Sequence, residues 1–396
     1  MSTLLTSPRD TLPVGELIAL AMAGFLAIIT ETMPAGLMPM IASDLDISNA
    51  MTGQMVTIYA FGSTIAALPL TALTQGFRRK PLLLLGIIGF LAMNTITAIT
   101  HHFGLILSAR FLAGLCAGLV WGLQAGYAKR LVTSRLQGRA LAIAMAGAPL
   151  AFSIGTPTGV AVGNLIGWRE AFLFISGVAF LLALWVAHRL PDLAGQYADK
   201  RLSPLRVLKI PGIITVLSLT MAWVGAHNIL YTYVAPFTAM SGLQTHVSAL
   251  LLLFGVSSLA GVWLAGVLTE KPLKTVILLA LSTFLLMTVA VSLFTQHPYV
   301  IVAMMVLWGL SYGGAGTLIQ LASASVAGEG IDLASAMIST VWNSAITLAG
   351  LLGGMALTHG GPKAISLSMI PIICAGIMIV LRARTGAFAP RRVEAR

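Results

Sequence analysis

Twelve apolar runs of about twenty residues or more, parted by short polar stretches, constrain this chain more than any other feature. They read 14–41, 51–73, 81–100, 103–128, 139–163 and 170–188, then 211–238, 246–269, 273–295, 298–326, 332–358 and 363–381. At 1.5 Å per residue, about twenty apolar residues cross a hydrocarbon core about 30 Å thick. Strands of a membrane barrel need only about ten. Charged residues make up 9% of the chain, against about 25% in a soluble domain. The fold class is therefore an all-α membrane protein with twelve transmembrane helices. The first run is far longer than the ~7–15-residue apolar core of a signal peptide, so it is expected to stay as a span.

The net charge of +11 points to nucleic acid only until the charges are placed. Twenty of the 23 Lys and Arg residues fall at the N-terminus, in alternate loops or in the tail, all on one side. Two, Arg169 and Lys363, fall on the other, and Arg110 lies inside span four. Basic residues collect on the cytoplasmic side, so both termini are expected there. The boundaries follow: a six-span half over 1–188, a cytoplasmic linker over 189–209, a second half over 210–381, and a basic tail over 382–396. Cys116 and Cys374 lie within apolar runs and read as packing residues.

Two charges stand out against this background. Glu31 lies in span one, within Thr30-Glu31-Thr32-Met33-Pro34-Ala35-Gly36-Leu37-Met38-Pro39. A carboxylate there costs about 3 kcal/mol or more, so such residues face a cavity or a partner. Pro34 and Pro39 loosen the helix beside it. Arg110 lies about 10 Å below the outer surface and Glu31 about 15 Å, close enough to meet if spans one and four are neighbours. An Arg beside a Glu favours the carboxylate, while burial favours the acid. A change in that balance would let Glu31 bind and release a proton. The plain alternative for each is a fixed interhelical bond that never titrates.

A shift of 195 residues lays Gly114, Gly118, Gly155 and Gly159 on Gly309, Gly313, Gly350 and Gly354. Two parallel repeats of six spans are an arrangement transporters use to build a mid-membrane site. The same shift puts Ala226 where Glu31 is and Met305 where Arg110 is, so the ionisable pair belongs to the first half. Gly114, Gly118, Gly122 and Gly126 form a small-residue ribbon on span four. Gly147, Ala151, Gly155, Gly159 and Gly163 form another on span five, with Pro149 and Pro157 among them. Such ribbons let helix backbones approach closely.

Leu107-Ser108-Ala109-Arg110-Phe111-Leu112-Ala113-Gly114 resembles the fourth-helix motif of the major facilitator superfamily. Gly147-Ala148-Pro149 through Gly155-Thr156-Pro157-Thr158-Gly159 resembles the fifth-helix motif of its drug:proton antiporter branch. Gly167-Trp168-Arg169-Glu170-Ala171-Phe172 is similar to the start of helix six there. The Thr30–Pro39 stretch and Leu230-Tyr231-Thr232-Tyr233-Val234-Ala235-Pro236 resemble bacterial sugar-efflux and chloramphenicol-resistance-like exporters. The loop after span two, Leu73-Thr74-Gln75-Gly76-Phe77-Arg78-Arg79-Lys80, keeps the family's basic run but has Thr74 where the gating Asp is expected.

The resemblance implies two pseudo-symmetric halves and proton-coupled export of small solutes such as sugars, nucleosides or amphipathic drugs by alternating access. It implies a monomer in the bacterial cytoplasmic membrane, driven by the proton gradient without a cofactor. Glu31 and Arg110 would couple protons. Thr74, Arg78, Arg79, Pro149, Gly155, Pro157 and Gly159 would serve gating and conformational change. Helices 1, 4, 7 and 10 would surround the substrate, which makes Tyr59, Gln124, His227, Asn228, Tyr231, Tyr312, Trp342 and Asn343 cavity candidates. Ordinary interhelical packing is the alternative for each. An inward symporter or facilitator, or a transporter-like sensor, are the other readings. No phosphate loop and no Cys/His cluster points to an ATP-driven pump, an enzyme or a metal site.

Overall fold

In the computed structural model the apolar runs form helices, because a backbone in hydrocarbon must satisfy its own hydrogen bonds. The structure describes residues 9–67, 73–74, 76–195, 204–268, 271–327 and 331–383. Of the expected linker, 196–203 lie outside these residues, as do Gln75, Glu270, Glu329 and the tail from Arg384. Among the described residues ten helices are long and apolar enough to cross a membrane. The last of them, Ile331–Arg382, is two helices parted at Gly361, where φ is +68°. Asn49–Ala67 is a further helix of span length, which brings the crossings among the described residues to twelve.

Chain contacts resolve two compact units. The first is Met1–Ile47 with Ile58–Asp199, and the second is Ser48–Thr57 with Lys200–Arg396. In the first, span one is Val14–Gly36 continued by Met38–Asp44, with a break at Leu37. Pro39 follows that break. It has no N–H to give the preceding turn, and it suits the first turn of a new helix. Spans three and four are Arg79–Ile99 and Phe103–Arg130. Span five runs Ser134–Ile166, and span six is Trp168–Arg189.

Span five is not a regular helix. Ala151–Gly155 is a π turn in which the Thr156 N–H bonds to the Ala151 carbonyl, so five residues fill one turn. Pro149 lies just before it, in Gly147–Leu150, and Pro157 just after it, in Thr156–Ile166. The small-residue ribbon of this span lies against span one. A Cβ on Gly147 would strike the Ala21 carbonyl oxygen, one on Gly155 would meet the Phe25 ring, and one on Gly163 would meet Leu37. A Cβ on Gly159 would press against Met33 and Ile29. The partners recur every four residues, as the glycines do, so the two helices run parallel and interlock.

The second unit repeats the plan. Span seven is Ile213–Thr232 followed by Val234–Ala239, with its break at Tyr233 and Pro236 just beyond. Under the 195-residue shift this break falls one residue from that of span one. Spans eight, nine and ten are Gln244–Val267, Leu273–Leu293 and Pro298–Ala327. Contacts repeat as well. A Cβ on Gly114 would strike the Tyr59 carbonyl oxygen, and one on Gly309 would strike that of Phe254. Both members of each pair are related by the same 195 residues, so the sequence repeat is a repeat of packing.

Candidate functional site

Thr30 and Glu31 lie on a segment of span one to which spans two to five are tied by hydrogen bonds and which span six approaches through Arg110. Tyr59 of span two donates its hydroxyl to the Ala27 carbonyl at 2.8 Å. Asn94 of span three donates to the Thr30 hydroxyl at 3.0 Å. Arg110 of span four donates from Nη2 to the Thr30 carbonyl at 2.6 Å. Thr32 and Thr156 of span five share a hydroxyl bond of 2.6 Å. The Arg110 guanidinium lies 4.8 Å from the Tyr59 ring centre and 5.7 Å from that of Phe172 in span six. Glu31 is 7% exposed and Arg110 is fully buried. Glu31, Tyr59 and Arg110 are close enough to act on one another electrostatically. Spans one and four are neighbours here, with Arg110 anchored to the carbonyl of the residue that precedes Glu31.

Burying an ion costs several kcal/mol even after relaxation. A hydrogen bond from a charged donor returns about 1.5–3 kcal/mol, and a desolvated cation–π contact about 2 kcal/mol. The contacts of Arg110 thus roughly offset its burial. A buried cation on such terms is weak evidence of a stabilising device.

The corresponding centre of the second unit is aromatic. His227 and Tyr312 stack in parallel with ring centres 3.5 Å apart. Trp308 donates its indole N–H to His227 Nδ1 at 3.0 Å, which places the proton of the neutral ring on Nε2. Phe254 packs on Trp308 at 4.4 Å and Tyr231 on Phe254 at 5.9 Å. Trp342 extends the chain, 6.3 Å from Tyr312. Four cavity candidates, His227, Tyr231, Tyr312 and Trp342, are therefore brought together.

The other candidates are placed differently. Tyr59 is part of the Arg110 cluster. Gln124 is buried and gives both amide hydrogens away, to the carbonyls of Leu20 and Ala144. Asn228 and Asn343 bond back to their own helices, at Val224 and Ser339.

Two further clusters close the ends of the first unit. Arg169 donates from Nε and Nη2 to Asp44 Oδ2, from Nη1 to the carbonyls of Ala98 and Thr100, and meets His101 Nδ1 through Nη2. Trp168 donates to the same Asp44 oxygen. At the opposite end Arg78 pairs with Asp192 at 2.7 Å, and the backbone N–H groups of Lys80 and Arg79 bond to Asp192 and to the Leu193 carbonyl. The basic run beside half-buried Thr74 thus finds its anion at Asp192. Sequence reasoning missed Asp192, Asn94, Thr156, Phe254 and Trp308. The polar residues within apolar spans, Asn94 and Thr156, carried a legible signal.

With a twelve-span helical bundle and its site residues in view, the comparisons agree. The Major Facilitator Superfamily matches residues 20–350, so the chain belongs to that superfamily. It has the fold of a transporter of that class. A similar solved structure is the crystal structure of a bacterial homolog to the human lysosomal transporter Spinster, in an inward-facing and unoccupied conformation. The likeness has a TM-score of 0.70 at 16% identity and covers 96% of this chain and 98% of that one.

Proposed function

We propose that this protein is a proton-coupled antiporter that exports small solutes across the bacterial cytoplasmic membrane, of the drug:proton branch. One observation carries the reading. Glu31 is an almost wholly buried acid on the segment of span one to which spans two to five are tied, and a buried cation is anchored on the adjoining peptide. A carboxylate so placed gains or loses a proton when that cation moves. The Gly and Pro pattern of span five against span one supports the export direction, since the family's exporters carry it. Both termini lie in the cytoplasm on this reading, and the protein works as a monomer, with Tyr231, His227, Tyr312 and Trp342 meeting the solute.

The test is transport by purified protein in liposomes, with and without a pH gradient, over a panel of sugars, nucleosides and amphipathic drugs. An antiporter accumulates solute against its gradient only when protons flow the other way. Equilibration that ignores the pH gradient makes the protein a facilitator, and accumulation along the proton flow makes it a symporter. Reporter fusions after residues 45, 101, 242 and 361 should face outward, and those after 77, 134 and 198 inward.

A further inference from the structure

The second unit contains a cavity of about 660 Å³ among spans seven, eleven and twelve, which reaches the linker helix Pro204–Leu208. Its size suits a ligand site. Small residues make it: Ala222, Gly225, Ala345, Ala349 and Ala375 leave open the space that larger side chains would fill. A Cβ on Gly225 would meet nothing within 4 Å, whereas glycines such as Gly309 are pressed against a neighbouring backbone. Among the described residues that line it, Ser218 is the only one with a hydroxyl and none is charged. Ile214, Leu348 and Leu352 line it and are 61%, 48% and 43% exposed, so the groove is open at its side.

Leu208 ends the groove's lining on the linker side, and two cations stand close to it in sequence. Val207 is fully buried and packs with Ile213, Ala327, Ala334 and Met337, which fixes the linker helix against the start of span seven. Leu208 then lines the cavity, while Arg206 and Lys209 on either side are exposed. An apolar groove whose last lining residue has two exposed, long-armed cations within two residues in sequence suits an amphipath with an anionic head.

We propose that the groove holds one anionic phospholipid of the bilayer, with an acyl chain among spans seven, eleven and twelve and its phosphate at Arg206 and Lys209. Lipid tails are as apolar as the groove wall, so filling it yields packing but no hydrophobic gain. Preference must come from the head. A basic residue near the membrane surface is worth about fivefold in affinity, and two about thirtyfold. The inference needs only that the chain lies in a membrane, so it stands or falls apart from the antiport reading.

Delipidated protein is titrated in native mass spectrometry with palmitoyl-oleoyl phosphatidylglycerol, with phosphatidylcholine of the same chains, and with glycerol phosphate as the head alone. The expected result is one phosphatidylglycerol per chain, held about thirtyfold more tightly than phosphatidylcholine, and no retention of glycerol phosphate. The double variant Arg206→Gln with Lys209→Gln should bring phosphatidylglycerol down to the phosphatidylcholine level. Gly225→Leu fills the groove and should lose both lipids while melting near the native temperature. If that variant does not fold, Ile214→Trp blocks the exposed side and serves in its place. Retention of phosphatidylglycerol by the filled groove overturns the proposal. So do equal binding of the two lipids, tight binding of glycerol phosphate, or a second protein chain appearing in place of lipid.

Discussion

The two halves share a packing plan and differ in what they bury at its centre. Gly114 against Tyr59 and Gly309 against Phe254 are one contact made twice. Around it the first half places Glu31, Arg110, Asn94 and the Tyr59 hydroxyl, and the second places Met305, Phe254, Trp308 and His227. The repeat therefore fixes where helices touch and leaves the central chemistry free. The buried charges of one half have no counterpart at the shifted positions of the other, where the centre is aromatic.

The sharpest way to break this contrast is Arg110→Ala. It leaves a buried carboxylate without its cation, and we expect about 3–5 kcal/mol of lost stability, together with loss of pH-driven transport. Melting in detergent and uptake in liposomes read both effects. Native behaviour in both would mean that the first half needs its charge no more than the second does. Glu31→Gln comes next. It keeps the shape and a hydrogen-bonding head, so folding and downhill exchange should survive while accumulation against a gradient disappears. Full accumulation by this variant would remove Glu31 from the coupling.

A matched pair tests the shared plan. Gly114→Val and Gly309→Val each drive a side chain into a backbone carbonyl, and overpacking of this kind costs about 1–3 kcal/mol. The two melting temperatures should fall by like amounts. A large fall in one half alone would show that the repeat is one of sequence but not of packing. The smallest effect is expected at Met305→Leu, the counterpart of Arg110. A volume-conserving change in an apolar core costs less than about 1.5 kcal/mol, and pH-driven transport should stay within about twofold of native.

Most of the fold was legible because its cause is local. Run length gave the spans, and the placement of Lys and Arg gave the expected orientation. The helix break at Leu37 was half legible, since Pro39 announced it without fixing the residue, whereas the break at Tyr233 was not read from the sequence. Less of the site could be read. Depth alone allowed Arg110 to reach Glu31 if spans one and four were neighbours; the bond to the Thr30 carbonyl was not foreseen. What could not be foreseen was tertiary pairing. Gln124 reads like a cavity residue, yet it ties together two carbonyls 124 residues apart, at Leu20 and Ala144. Asp192 reads like one more loop acid, yet it holds Arg78 across more than a hundred residues. Residue type and depth do not encode such partners, because they depend on which helices become neighbours.

The π turn at Ala151–Gly155 has a consequence for span five as a screw. In a regular α-helix each four-residue step overshoots a full turn by about 40°, so a ribbon from Gly147 to Gly163 would drift by about 160°. A turn that absorbs one extra residue takes back about 100° of this and keeps Gly159 and Gly163 facing span one. The turn is thus a stored increment of rotation. Annealing it to an ordinary α turn, with no residue lost, would swing Thr156–Ile166 by about 100° and carry both glycines off Ile29, Met33 and Leu37. Deleting Ile154 removes the spare residue instead and leaves the flanking faces in phase, so that deletion should cost the folded protein less than deletion of Val162, where every residue is already spent on a regular turn.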